Sequence, residues 1–195
     1  FLFVVGNAMS FSMRKFRVVE DSLFLKKVLK RTFLIFLIGL FLNVFPFVYS
    51  AGGELVLKDL SSLRIMGVLQ RIALAYLFAS LIVRYLGIKG SVGMGAFLLL
   101  AYWGIMLYFG DPVDPFGLEG NAALKFDLFF IPAENLYHGF GIPFDPEGLL
   151  STLPAIVNVL AGYVAGIFIQ KFGTNYTTIG KLNLVGIVFL AIAYA

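Results

Sequence analysis

Cysteine is absent from this chain and histidine occurs once, at position 138. The first absence excludes disulfides, thiolate nucleophiles and thiolate metal sites, and the second excludes an internal multi-histidine metal centre. Charge is scarce too. Only 13% of the residues are Asp, Glu, Lys or Arg, against about 25% in a soluble domain. What takes their place is apolar: 60% of the residues are hydrophobic, 16% are aromatic, and the mean hydropathy is +0.93. This is the composition of an integral membrane protein. The runs are of helix length, so the expected fold class is all-α, a polytopic transmembrane helix bundle in one membrane domain over residues 1–195. The net charge of +4 does not point to nucleic acid, because the basic residues cluster beside apolar spans, where they set topology.

Hydropathy and turn residues predict complete spans over 32–49, 63–85, 91–110 and 146–170. Partial spans are expected over 1–13 and 182–195, since the chain opens on Phe1 and stops at Ala195 inside apolar runs, as a fragment of a longer protein would. The stretch Arg14–Arg31 holds seven Lys/Arg and loosely periodic apolar residues, which suits a segment lying along the membrane surface. Ser50–Ser62 reads as a short polar loop and Gly87–Gly90 as a tight turn. The longest connection, 111–145, contains Pro112, Pro115, Pro132 and Pro143, and its length argues for function or disorder. Its aromatics Phe126, Phe129, Phe130, Tyr137, Phe140 and Phe144 favour an ordered cap packed over the mouth of the bundle.

Loop charges predict orientation. Segments 14–31, 84–89 and 171–181 hold eleven Lys/Arg and two acids; segments 50–62 and 111–147 hold two Lys and nine acids. The positive-inside rule places the first set, with loop 14–31, in the cytoplasm and the second, with loop 111–145, outside.

Against this apolar background the polar residues stand out. Arg71 lies inside the expected span 63–85, where an unpaired guanidinium costs several kcal/mol and so calls for a partner. Arg64 is seven residues away and would share its face on one helix. Asp145 and Glu147, at the head of span 146–170, are the nearest carboxylates to answer them. Asp145-Pro146-Glu147 also reads as plain helix-start chemistry. Gly148, Ser151, Thr152, Pro154 and Asn158 then continue a polar stripe that suits a lined cavity. The candidate site is Arg71, Gln70, Arg64, Asp145, Glu147 and Ser151 in the outer half of the bundle, roofed by 111–145, with Asn7 as a further membrane amide. His138, the one imidazole, is a general-base candidate by residue type but has no evident orienting carboxylate beside it. Gly162 and Gly166 form a small-residue pair suited to close helix approach. Asn175-Tyr-Thr177 matches a glycosylation sequon but falls in a loop expected to be cytoplasmic.

Three blocks, 1–13 (Phe-Leu-Phe-Val-Val-Gly-Asn-Ala-Met-Ser-Phe-Ser-Met), 63–73 (Leu-Arg-Ile-Met-Gly-Val-Leu-Gln-Arg-Ile-Ala) and 144–154 (Phe-Asp-Pro-Glu-Gly-Leu-Leu-Ser-Thr-Leu-Pro), with Asn135-Leu-Tyr137 ahead of the third, resemble the bacterial branch of the heparan-α-glucosaminide N-acetyltransferase-like membrane acyltransferases. The resemblance implies transfer of an acetyl group from cytosolic acetyl-CoA to an amino sugar or related glycan acceptor across the membrane. Inner basic residues would steer the CoA and the buried Arg would lie on the acyl route. It also implies that the catalytic His belongs to an outer loop ahead of residue 1, so His138 is not that residue and these 195 residues alone should be inactive. Lipid and a second copy of the chain are the other partners expected. A transporter or flippase of an anionic or sugar-linked substrate is the competing class, since it too would use an intramembrane Arg, broken helices and a mouth loop.

Overall fold

A computed structural model describes residues 1–16 and 19–194. The fold is all-α apart from one hairpin: α1 (Leu2–Phe16), α2 (Asp21–Val44), β1 (Val48–Ala51), β2 (Glu54–Leu57), α3 (Val68–Phe109), α4 (Ala122–Phe130), a 3-10 turn (Ala133–Asn135), α5 (Thr152–Phe172) and α6 (Tyr176–Tyr194). Three helices among the described residues, α3, α5 and α6, are long and apolar enough to cross a membrane. The expected four complete and two partial spans are therefore corrected to three candidates.

The reasons for that correction are local. α1 has 15 residues, short of the roughly 20 that a span needs. Nothing between Arg31 and Thr32 breaks a helix, so the basic segment from Asp21 and the apolar run after it form one 24-residue helix, α2. Buried Phe24, Val28, Thr32 and Gly39 mark its single inner stripe. The basic stretch is thus divided between the last turn of α1, which holds Arg14 and Lys15, and the charged first half of α2, which holds Lys26, Lys27, Lys30 and Arg31; Arg17 and Val18 within it lie outside the described residues. In α3 the expected spans 63–85 and 91–110 are merged into 42 residues, interrupted only at Gly87, whose φ of 63° and ψ of −167° leave the helical region. Glycine meets no Cβ penalty there. The chain doubles back at this point: Arg71 at the start of α3 and Met106 near its end both reach the head of α5.

The 50–62 segment is more ordered than a polar loop. β1 and β2 pair antiparallel from Val48↔Leu57 to Ala51↔Glu54, turned by Gly52 and Gly53, both with positive φ. That two-glycine pattern is the one tight hairpins favour.

The core lies between α1, α2, the first arm of α3, and α5, with Met9, Met13, Phe24, Val28, Tyr76, Ala79, Val159 and Tyr163 at its centre. α1 and α5 run side by side in the same direction. A Cβ at Gly6 would collide with the Val159 carbonyl oxygen, and one at Gly162 with that of Phe3. Gly162 therefore lets the two backbones touch, and Gly166, four residues on, makes room for the Asn7 and Ser10 side chains of α1. Asn175 accepts the Thr178 N–H at 2.8 Å, so the sequon asparagine caps the start of α6.

Candidate functional site

The segment expected to begin a membrane helix at Leu63 is extended up to Gly67, and α3 starts at Val68. Its backbone is held from outside. Asn135 Nδ2 donates to the carbonyls of Ser61 (2.8 Å) and Leu63 (2.9 Å), Ile65 N–H donates to the Asn135 carbonyl (3.1 Å), and Asn43 Nδ2 donates to the Arg64 carbonyl (2.9 Å). Partners satisfied this way do not need a helix. Two consequences correct the sequence reading. Arg64 and Arg71 do not share a helix face, and Arg71 lies in the first turn of α3, where its own N–H donates to the Gly67 carbonyl at 2.9 Å, rather than deep in a span.

The second helix start also moves. α5 begins at Thr152, and 145–151 is a series of turns in which Gly148 N–H donates to the Asp145 carbonyl and Thr152 N–H to that of Leu149. Asp145 is therefore not the N-cap of α5. Its Oδ1 accepts the Glu147 N–H at 3.0 Å and caps a local turn instead.

Arg64 and the carboxylates meet there. Its Nε donates to Asp145 Oδ2 at 3.0 Å and its Nη2 to Asp145 Oδ1 at 2.6 Å, a two-pronged fork; the same Nη2 reaches Glu147 Oε2 at 2.6 Å. The Asp145 side chain is fully buried, whereas those of Arg64 and Glu147 are 27% and 22% exposed. The guanidinium also stacks over the Tyr137 ring, 4.7 Å from its centre. The hydrogen bond to Asp145 is the main reason that Arg64 holds its proton more tightly than a free guanidinium. The Asn135-Leu-Tyr137 element thus acts on Arg64 twice, through backbone bonds from Asn135 and through the Tyr137 ring.

Arg71, expected to pair with Glu147 or Asp145, reaches Ser151 instead: Nη2 donates to its carbonyl at 3.0 Å and to its Oγ at 2.6 Å. Arg64 has taken the two carboxylates because the non-helical segment 63–67 carries it to them, while the first turn of α3 carries Arg71 to Ser151, at the end of the same 145–151 turn. Among the described residues, Arg71 Nε is buried without a hydrogen-bond partner, and so is Gln70 Nε2. Such donors each cost about 1–3 kcal/mol when left unmade. Gln70 turns away from Arg71, its carboxamide against Gly39 of α2 and Gly67.

One charged residue that the sequence reading passed over completes the cluster. Asp127, on α4, is 1% exposed; its Oδ1 accepts the N–H groups of Leu149 (2.9 Å) and Leu150 (3.2 Å). A Cβ at Gly148 would collide with its other oxygen, which explains the glycine in Asp-Pro-Glu-Gly. Burial, opposed by those two N–H bonds, raises the Asp127 carboxyl to about 6; the Asp145 charge pushes it up further and that of Arg71 pulls it down. A signal was present: Asp127 is the one acid in the apolar run Ala-Ala-Leu-Lys-Phe-Asp-Leu-Phe-Phe.

The turn 145–151 is therefore gripped from three sides, by Arg64 at Asp145 and Glu147, by Asp127 at Leu149 and Leu150, and by Arg71 at Ser151. Loop 111–145 does cover this end, but through Ala122, Ala123, Leu124, Ile131 and Leu136 rather than the expected aromatics, of which Phe126, Phe129, Phe130, Tyr137 and Phe140 are exposed. Two predicted site residues stay outside. Asn7 lies against Gly166 between α1 and α5, 14 residues or about 20 Å along α5 from Thr152. His138 is exposed, and its carbonyl accepts the Gly141 N–H.

Arg84 occupies the far end of the first arm of α3. Its Nη1 donates to the Phe16 carbonyl (2.8 Å), Nη2 to that of Val19 (2.9 Å), and Nε to Asp21 Oδ1 (2.9 Å). A cavity of about 140 Å³ beside it is lined by Met13, Phe16, Val83, Gly87 and Tyr163, smaller than the roughly 300 Å³ at which small-molecule pockets begin. No protein-family model matches the chain, and no curated protein matches it.

Proposed function

We propose that this chain is part of a multi-pass membrane acyltransferase that moves an acetyl group from cytosolic acetyl-CoA to the amine of an amino sugar or related glycan on the opposite face. Three helices able to cross a membrane make a membrane-embedded protein, and the three sequence blocks carry the family likeness. The observation that supports the reading most is the state of Arg71. It binds Ser151 with one nitrogen and keeps Nε buried and unpartnered beside a turn that also carries Asp145 and Glu147.

An acyl carbonyl oxygen is a fitting acceptor for that Nε, because negative charge grows on it as the amine attacks, and a charged donor already in place stabilises the growing charge. The amine nitrogen bonds to the carbonyl carbon, the carbon–sulfur bond breaks, and CoA leaves as its thiolate, which takes up the proton lost by the amine to become the thiol. That proton passes by way of a general base, which the family resemblance assigns to a His ahead of α1. Glu147, the partly exposed carboxylate of the cluster, is the group open to the acceptor, while buried Asp145 holds Arg64. Orientation follows the loop charges in this reading: 14–31 and the Arg84 end face the cytoplasm, and 111–145 faces outside.

The test uses the intact protein in sealed proteoliposomes, with acetyl-CoA on one side and glucosamine on the other. Acetyl transfer is expected. In Arg71→Lys it should fall by about tenfold or more at unchanged folded yield, since Lys keeps the charge but loses the planar fork. Substrate counterflow without acetyl-CoA, and no acetylated product, would replace this reading with the transporter.

A further inference from the structure

We infer that α4 is an in-plane membrane helix whose aromatic face is seated in the lipid boundary, on the side of the bilayer where α3 ends. The inference rests on the membrane-crossing helices and not on acetyl transfer, so the two stand or fall separately.

The helix is amphipathic in the reverse sense from a soluble one. It buries Ala122, Ala123, Leu124 and its one acid, Asp127, and it exposes Phe126 (40%), Leu128 (40%), Phe129 (80%) and Phe130 (59%). In water a nine-residue helix would turn Asp out and Phe in, because burying three rings stabilises by several kcal/mol and burying a carboxylate costs as much or more. Here the rings pack on one another: Phe126–Phe130 and Phe129–Phe130 centroids are 5.0 and 4.9 Å apart. They form a continuous apolar surface with no protein over it among the described residues.

Lipid is the occupant indicated, for two reasons. The first is continuity. Lys125 Nζ donates to the Phe109 carbonyl at 3.0 Å, which ties α4 to the last residue of a membrane-crossing helix. The exposed residues there are Trp103, Leu107, Tyr108 and Phe109, the composition of an interfacial aromatic belt. The face of α4 extends that belt sideways. The second is charge. The one basic residue, Lys125, is on the exposed side among the rings; its ammonium gives one N–H to the Phe109 carbonyl and keeps two for headgroup phosphates, while its stem lies along apolar surface. Asp127 on the opposite face holds Leu149 and Leu150, so the helix seated in lipid is also the one that clamps the head of α5.

The chain has one Trp and no Cys, which makes the test direct. In the intact protein, Trp103→Phe removes the native fluorophore of this segment, any Trp elsewhere is likewise changed to Phe, and Phe129→Trp supplies the single probe. The protein is reconstituted in phosphatidylcholine vesicles carrying bromine either near the headgroup or near the chain end. Shallow bromines should quench Phe129→Trp at least about twofold more than deep ones, with little quenching by aqueous acrylamide, as for a helix about 5–10 Å into the boundary. Quenching by acrylamide without quenching by bromolipid would place the face in water. Protection from both would place it under protein, whether a second copy or another segment. Either result overturns the inference. Phe126→Trp repeats the measurement on the same face if Phe129→Trp does not fold.

Discussion

Arg84 and Arg71 lie on the same arm of α3, 13 residues or about 20 Å apart, yet their surroundings differ in kind. Arg84 ties together the end of α1 and the start of α2, with two carbonyls and the half-exposed Asp21 as partners. Those groups are what a helix end and a connection leave unmade, and a guanidinium there is a cap. At the other end Arg64, Arg71 and Asp127 converge on the one seven-residue turn that carries Asp145 and Glu147, and two buried donors remain unmatched. The difference teaches that a basic residue in an apolar protein is informative through its partners rather than through its depth. Arg71 is near a helix start, as Arg84 is near a bend, and only the former keeps a buried donor in reserve.

The contrast breaks most visibly at Arg64. Arg64→Ala leaves the fully buried Asp145 carboxylate unpaired and should destabilise the protein by about 3 kcal/mol, the low end for a broken buried pair because Arg64 is partly exposed. Arg71→Ala should cost less, about 2 kcal/mol, for the charged donor lost at Ser151. Double-mutant cycles in detergent unfolding separate the two arginines. Arg64→Ala with Glu147→Ala should couple by about 1 kcal/mol, and Arg71→Ala with Glu147→Ala should be additive within about 0.5 kcal/mol. Coupling of Arg71 to Glu147 instead would restore the pairing that the bare sequence suggests.

A smaller effect tests Asp127. Its folded-state carboxyl titrates at about 6, above the ordinary 3.8, so the stability it contributes is complete below about pH 4 and is lost as the pH rises through 6. Between pH 5 and pH 7.5 that loss is about 1.4 kcal/mol. Asp127→Asn keeps an oxygen for the Leu149 and Leu150 N–H groups and has no titration, so its stability should be level over this window where the parent's declines. An equal decline in both would show that Asp127 is charged throughout.

The smallest change belongs to the other end. Arg84→Lys keeps the charge and loses the fork, and should cost about 1 kcal/mol while leaving acetyl transfer per folded molecule unchanged. A loss of transfer at full folded yield would make both ends functional and erase the comparison.

The sequence by itself determined the all-α class, the membrane-embedded character and a small-residue face on α5 suited to close helix approach, because each follows from a summed or periodic property: scarce charge, long apolar runs, glycines four apart. It also singled out Arg64, Arg71, Asp145, Glu147 and Ser151, since ionised and hydroxylic groups are conspicuous among apolar ones. It misjudged where helices begin. Leu63–Gly67 and Asp145–Ser151 are as apolar and cap-like as true helix starts, and only tertiary bonds from Asn43, Asn135, Arg64 and Asp127 hold them out of helices. The span count moved for a related reason, as no local signal divides the charged from the apolar part of α2. Which arginine takes the carboxylates, and that a lone acid in α4 turns inward, was decided by tertiary structure alone. A side chain's partner depends on where segments 22 to 83 residues apart arrive, and no local pattern carries that distance.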